Sequence, residues 1–271
     1  DAAAAWETVE DGAELVGINM EGPFFSEKKK GAQNAAYLHK PDAEMFRRLQ
    51  TRARGLFKLC NIAPELDGAL DCIRSLAGEV RISLAHTDAD YDTAKAAYEA
   101  GARQATHLYN AMPPYSHRAP GVIGAACDFA EAAELIADGV HVHPSAVRLT
   151  FRAFGDDRVI LISDSMMAAG MPDGEYSLGG QPVTVRGNLA TLADGTIAGS
   201  ATNLLDCMRT AVREMGIPLG SAVRAAAVNP AKAIGVYDRY GSLEIGKTAN
   251  VILLDDALEV KGIFLRGKRL R

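Results

Sequence analysis

The sequence predicts an α/β barrel of parallel β-α units, with about six of the usual eight units present, followed by part of a small β-sandwich. Short apolar runs alternate with segments of helical periodicity, as they do in parallel β-α proteins. Each run stops at a polar or ionisable residue, and barrel enzymes carry their chemistry at the C-terminal ends of strands. The 271 residues, 48% of them hydrophobic, suffice for one well-buried core.

The predicted barrel strands are residues 15–20, 56–62, 80–85, 104–108, 134–142 and 159–162. Helical patterns cover residues 67–76 and 90–100. The second pattern has Asp90 or Thr93 as its possible N-cap and ends at Gly101.

After the last barrel strand the pattern changes. Residues 175–197 form short alternating runs separated by Gly-containing turns, which predicts inserted β-hairpins. Helical patterns at 204–215 and 221–228 precede strands at 250–254 and 260–265. We therefore divide the chain into a barrel at 1–240 and the C-terminal part of a β-sandwich at 241–271.

Composition and charge exclude several classes of function. The net charge of −5 offers no basic field for nucleic acid, and no apolar stretch is long enough to cross a bilayer. The four cysteines form no Cys-x-x-Cys pair, and no basic signal region opens the chain, so a soluble cytoplasmic protein is expected. Neither ATP nor NAD is indicated, because Gly-rich phosphate loops are absent.

Glu21, His86 and His107 each end a predicted strand and are candidate metal ligands. A catalytic zinc takes about three protein ligands, and two histidines with one carboxylate are an accepted set. Neighbouring strand ends lie roughly 5 Å apart, so ligands from separate strands can meet. Spacing alone leaves two alternatives open, which are hydrogen-bonded core histidines and an ordinary exposed Glu21 in a turn.

Asp164 follows the last predicted barrel strand. Its carboxylate could take a proton from activated water and return it to a leaving amine, or it could cap the next segment.

The segment from Asn110 to Arg118 could hold a phosphate through backbone N–H groups and a guanidinium, or it could be a Pro-rich surface loop. A solvated face is the favoured interpretation of the basic run Lys28-Lys29-Lys30.

Several motifs occur in a fixed order along nearly the whole chain. They are Glu21-Gly22-Pro23-Phe24, Ala85-His86-Thr87-Asp88-Ala89, Thr106-His107-Leu108-Tyr109-Asn110-Ala111-Met112, Asp138-Gly139-Val140-His141, Ser163-Asp164, Ala198-Gly199-Ser200 and Asn229-Pro230-Ala231. Through them the chain resembles the deacetylases of N-acetylglucosamine 6-phosphate, a family within the amidohydrolase superfamily. The resemblance implies an amidohydrolase-type TIM barrel that hydrolyses this N-acetyl group to glucosamine 6-phosphate and acetate.

The resemblance also implies roles for particular residues. Glu21, His86 and His107 would hold one divalent metal ion, zinc in the first place, with iron, cobalt or manganese as alternatives. Asp164 would be the general base. The implied substrate contacts are Ala32, Asn110, Ala111, Arg118, His141, Ile197, Ala198 and Gly199. Members of the family are homodimers, and Arg118 would serve the neighbouring subunit.

The sequence departs from the family pattern at two places. Gln33 stands where relatives carry a histidine that orients the acetyl carbonyl, and a Gln amide can donate a hydrogen bond but carries no charge. No His-x-His pair precedes Glu21, so we expect a fragment without the first two barrel strands. Two other interpretations stay open: another amidohydrolase, such as a deaminase or cyclic-amide hydrolase, and a truncated non-catalytic remnant.

Overall fold

The computed structural model describes residues 10–271, and its largest sheet has six parallel strands in the order of the sequence. The strands are β1 (Ile18–Met20), β2 (Phe57–Ile62), β3 (Arg81–Leu84), β4 (Gln104–Ala105), β5 (Ala132–Ile136) and β6 (Val159–Ile162). The sheet is the curved, open part of a TIM-like barrel, which confirms the predicted fold class and its six units. The prediction that no signal region opens the chain concerns residues 1–9, outside the described part.

Helices connect these strands and follow them. They are α1 (Ala43–Arg52), α2 (Ala69–Leu76), α3 (Tyr91–Ala100), α4 (Gly121–Phe129), α5 (Pro144–Phe154), α6 (Leu204–Arg213), α7 (Leu219–Val223) and α8 (Asn229–Ala233), with a π-helical turn at Arg224–Val228 between the last two. Of the two predicted N-cap candidates of α3, Asp90 is the N-cap: its side-chain oxygen accepts a hydrogen bond from the backbone N–H of Thr93 at 2.8 Å.

The strands separate an apolar layer from a polar one because successive side chains of a strand point to opposite faces. On β3, Ile82 and Leu84 are fully buried in the core that the strands share with the helices. Ser83, between them, instead joins a buried polar chain in which its hydroxyl lies 2.7 Å from that of Thr106, while the Asn61 amide donates to Thr106 at 3.1 Å. This polar layer lies just below the strand ends that carry Glu21, His86 and His107.

Several predicted strands are shorter than expected, and in two of them the difference moves a site residue off the strand. The strand predicted at 134–142 spans 132–136, and His141 lies five residues beyond its end, because Gly139 adopts φ 82° and turns the chain. The strand predicted at 104–108 ends at Ala105, so that His107 lies on the turn that follows.

Two smaller antiparallel sheets complete the described chain. The predicted hairpins form a four-stranded sheet of β7 (Gly174–Leu178), β8 (Gln181–Arg186), β9 (Leu189–Thr191) and β10 (Ile197–Ser200). The C-terminal sheet contains β11 (Val251–Leu254), β12 (Val260–Leu265) and β13 (Lys268–Arg269). We propose that the division at residue 240 stands, because this last sheet is separate from the other two.

Asn229 ties the end of the barrel helices to the edge strand β6. Its side-chain amide donates to the carbonyl oxygens of Asp156 and Val159, each at 2.7 Å. The Asn229-Pro230-Ala231 motif thus satisfies edge carbonyls that would otherwise be buried without a partner. Within residues 10–271, none of the helices has the length and apolar character needed to span a bilayer.

Candidate active site

Glu21, His86 and His107 converge at the carboxyl ends of β1, β3 and β4. Nε2 of His86 lies 3.1 Å from Oε1 of Glu21, and Nε2 of His107 lies 3.3 Å from the same oxygen. The two imidazole Nε2 atoms are 3.1 Å apart. Three residues that are far apart in sequence therefore aim one ligand atom each at a common point.

The backbone at these strand ends is strained. Non-glycine residues seldom adopt positive φ, and each costs about 1–3 kcal/mol. Among residues 10–271, five residues beside the strand ends have such values: His86 (46°), His107 (32°), Tyr109 (79°), Ala111 (52°) and Asp164 (48°). These residues lie two to six positions after a strand end, and four of the five line one cavity.

The His86 ring is fixed by its neighbours. Its Nδ1 lies 2.8 Å from the backbone carbonyl oxygen of Lys29. Since a carbonyl only accepts, Nδ1 carries a proton, so in the neutral form of the ring Nε2 has a lone pair directed at Glu21 and His107. The ring of Phe25 stacks on His86 with the centroids 4.3 Å apart. Such a partner on the far nitrogen is the usual way proteins orient a metal-binding histidine.

Glu21 and His107 shift each other's pKa values. Burial raises the pKa of Glu21, but hydrogen bonds from His107 and His86 outweigh it and hold this pKa well below its usual range. Burial lowers the pKa of His107, yet the hydrogen bond to Glu21 prevails and raises it to about 9. Without a metal ion, a proton on His107 thus binds the carboxylate at neutral pH.

The donor set fits a metal ion. Tetrahedral zinc with bonds of about 2.0–2.1 Å places its ligands roughly 3.3 Å apart, close to the separations within this cluster. Two lone-pair nitrogens and a carboxylate oxygen this close repel one another unless a proton or a cation lies between them. The three residues could therefore hold one divalent cation, as the amidohydrolase pattern expects.

Asp164 follows β6 and lines the same cavity. Burial raises the pKa of its carboxyl, and the negative charge of Glu21 raises it further. Its backbone oxygen accepts the N–H of Ser200 at 2.8 Å, which fixes the turn to β10. Among the described residues its carboxylate accepts no hydrogen bond, so this cavity-lining group is available as a proton acceptor.

The cavity has a volume of about 500 Å³, within the range of small-molecule sites. Of the predicted site residues it is lined by Glu21, Ala32, His86, His107, Asn110, Ala111, His141, Asp164, Ile197, Ala198 and Gly199. Arg118 is the exception: it lies in an exposed turn between Ser116 and Ala119 and does not line the cavity of its own chain.

Sequence reasoning missed several lining residues. They are Lys28, Lys29, Gly31, Ser165, Met166, Leu178 and Thr196. Leu178 closes the cavity from the hairpin sheet, and nothing in its local sequence marks it. Gln33, which the sequence singled out as a departure, also lines the cavity.

His141 is held by Asp138, three residues before it. The Asp138 carboxylate accepts the His141 ring Nδ1–H at 2.7 Å and the backbone N–H groups of Val140 and His141, each at 2.9 Å. Burial raises the pKa of Asp138, but the His141 hydrogen bonds outweigh it and lower this pKa. The hydrogen bond through Nδ1 fixes the ring of His141, which lines the cavity, and leaves its Nε2 for another partner.

Gly199 packs so closely against the Asp164 turn that a side chain cannot be added without movement. Its φ is +74°, and a Cβ atom there would lie 2.9 Å from the Asp164 backbone oxygen. We expect Gly199→Ala to reduce the free energy of unfolding by about 2–5 kcal/mol, from a left-handed alanine and an overpacked contact. Chemical denaturation measures this change.

Gly187→Ala is the matched control, because Gly187 has φ +57° and its added Cβ would meet no atom within 4 Å. It should cost only the left-handed strain, about 1–2 kcal/mol. Equal losses in the two variants would show that the contact with Asp164 is unimportant.

Comparison with known proteins identifies relatives over nearly the whole chain. Residues 2–270 match the Amidohydrolase family. The N-acetylglucosamine-6-phosphate deacetylase of Bacillus subtilis is 44% identical over 271 residues, covering 98% of this chain and 68% of that protein. The N-acetylgalactosamine-6-phosphate deacetylase of Escherichia coli O157:H7 is 38% identical, covering 95% and 68%.

A solved structure shows the same fold. The N-acetyl-D-glucosamine-6-phosphate deacetylase of Mycobacterium smegmatis, a mutant in complex with N-acetyl-D-glucosamine 6-phosphate, superposes with a TM-score of 0.89 at 38% identity. The match covers 93% of this chain and 68% of that one. This chain therefore spans about two thirds of the length of these relatives.

Proposed function

Since this chain belongs to the amidohydrolase family, we propose that it hydrolyses the N-acetyl group of N-acetylglucosamine 6-phosphate to glucosamine 6-phosphate and acetate. The observation that carries the proposal is the triangle of Glu21, His86 and His107 facing Asp164 across one cavity. A family-wide need for a divalent metal agrees with this donor set. A deaminase or cyclic-amide hydrolase is not favoured, because relatives at 35–44% identity carry deacetylase names.

Each residue has a separate task in this reaction. Glu21, His86 and His107 would hold the metal, and a bound ion would supply Lewis-acid chemistry toward the amide carbonyl and the attacking water. Asp164 accepts the proton of the attacking water and passes it to the departing amine. Gln33 lines the cavity and can donate its amide N–H to the acetyl carbonyl.

The other lining residues suit a phosphorylated sugar. Asn110 and Ala111 offer polar backbone and amide groups, and His141 offers Nε2. Ala32 and the segment from Ile197 to Gly199 cover the cavity on its hairpin side. Because Arg118 lies outside the cavity of its own chain, we propose that it reaches the phosphate of a neighbouring subunit in a homodimer.

Zinc is the proposed metal because two histidines, one carboxylate and an open position suit it, while iron, cobalt and manganese accept the same donors. A cytoplasmic location fits a catabolic enzyme with four free cysteines.

Acetate release tests the proposed function. The purified chain with one equivalent of zinc is expected to release acetate from N-acetylglucosamine 6-phosphate, and a chelator should stop the release. N-acetylgalactosamine 6-phosphate is the second candidate substrate, because a relative that acts on it by name is 38% identical. A metal-loaded, cooperatively folded chain that releases acetate from neither sugar would identify it as a non-catalytic remnant.

A further inference from the structure

We propose that Lys29 binds the phosphate of the substrate and supplies the positive charge that this chain itself contributes to the anionic end of the cavity. The inference rests on the proposed function, since it names the contact that selects a phosphorylated sugar. The sequence alone favoured a solvated face for the run Lys28-Lys29-Lys30, and the structure separates these three lysines.

Both the backbone and the side chain of Lys29 contact residues beside the cavity. Its backbone oxygen accepts the Nδ1–H of His86 at 2.8 Å, and its side-chain Nζ lies 3.5 Å from the backbone oxygen of Met112. Met112 directly follows Asn110 and Ala111, and the Ala111 oxygen accepts the N–H of Thr87 at 3.1 Å. The ammonium group therefore lies near Asn110 and Ala111, which line the same cavity.

The charges of the cavity favour such a group. Glu21 and Asp164 both line it, and a phosphate adds up to two further negative charges. Among the described residues, Lys28 and Lys29 are the lysines or arginines that line it. Lys28 is 80% exposed, whereas Lys29 is 26% exposed and is therefore less screened by water.

The present contacts of Lys29 leave room for a ligand. Its Nζ is 3.7 Å from the Asp88 carboxylate, which is a long ion pair, and the hydrogen bond to Met112 is at the outer limit of such bonds. An ammonium has three donors, so a phosphate oxygen can be bound without breaking either contact.

Steady-state kinetics of Lys29→Gln with N-acetylglucosamine 6-phosphate and with N-acetylglucosamine tests the proposal. We expect KM for the phosphorylated sugar to rise at least about 10-fold, the loss of one charged hydrogen bond, with kcat within about threefold. For the unphosphorylated sugar, kcat/KM should stay within about threefold. An equal loss for both sugars would overturn the proposal, because Lys29 would then act through His86 instead of the phosphate.

Two variants separate binding from general support. Lys28→Gln removes an equal positive charge that pairs with the same residue, Asp88. Because Lys28 is exposed, KM for the phosphorylated sugar should rise less than about fivefold. Asp88→Asn removes the competing carboxylate and should leave KM for the phosphorylated sugar unchanged or lower. If Asp88→Asn and Lys29→Gln raise KM alike, the ion pair is structural and the proposal fails.

Calorimetric binding of glucosamine 6-phosphate to the zinc-loaded chain keeps this inference distinct from the proposed function. Binding that weakens about 10-fold in Lys29→Gln supports the phosphate contact even if no acetate is released. Binding that is the same in both proteins excludes the contact even if the wild-type chain is an active deacetylase.

Discussion

Asp164→Asn is expected to lower kcat for acetate release by about 10²- to 10⁴-fold while the metal stays bound at its original stoichiometry. Asp164 lies in the cavity but outside the group of three ligand atoms formed by Glu21, His86 and His107. An asparagine keeps the size of the side chain and loses the ability to take a proton. The expected loss therefore affects proton transfer and spares the ligands.

The environment of Asp164 suits a proton carrier. Burial and the charge of Glu21 raise the pKa of this carboxyl, so its affinity for a proton is greater than that of a solvated aspartate. A raised pKa makes the Asp164 carboxylate a stronger base than a solvated aspartate, so it takes the proton of the attacking water more readily. As pH falls through this pKa, the base is protonated and kcat should decline.

Asp67→Asn is the control for this change. Asp67 is 83% exposed, pairs with Lys40 at the surface and does not line the cavity. Acetate release is measured with zinc content determined on the same samples. Full activity in Asp164→Asn would show that another group takes the proton, and loss of zinc would show that Asp164 is a ligand.

The parallel barrel could be predicted because burial on both faces leaves a strong local pattern. Runs such as β5 are mostly apolar, and a polar residue follows each of the six parallel strands within three positions. The candidate ligands were found for the same reason, since Glu21 directly follows a strand and His86 and His107 come two residues after one. Their convergence depends on strand order, which spacing in the sequence does not contain.

Other features depended on contacts between distant segments. Helix α4 contains two glycines and two alanines, which give little helical periodicity, and it was not predicted. His141 was placed at the end of a strand, but the left-handed Gly139 moves it onto a turn supported by Asp138. The difference between Lys28 and Lys29 arises only from packing, because adjacent identical residues have the same local sequence signal.

His107→Ala is expected to weaken zinc binding by at least about 100-fold, more than the loss of a residue that merely supports a ligand. His107 is 3% exposed and contributes its Nε2 to the triangle with Glu21 and His86. The two remaining ligands, Glu21 and His86, follow the ends of β1 and β3. A zinc ion bound by these two alone lacks one of the usual three protein ligands. Zinc affinity by competition with a chromogenic chelator measures the change, with denaturation curves to show that the variant still folds.

His39→Ala provides the matched loss of a histidine, since His39 is exposed and does not line the cavity. The zinc affinity of His39→Ala should equal that of the unmodified chain.

The pH dependence of zinc binding is a second test of His107 as a ligand. The pKa of His107 is raised to about 9, so below that pH a proton must leave before the metal binds. Zinc affinity of the unmodified chain should therefore rise with pH up to about 9, and this rise should be smaller in His107→Ala. Zinc affinity that is unchanged in His107→Ala would exclude His107 as a ligand and require a different metal site.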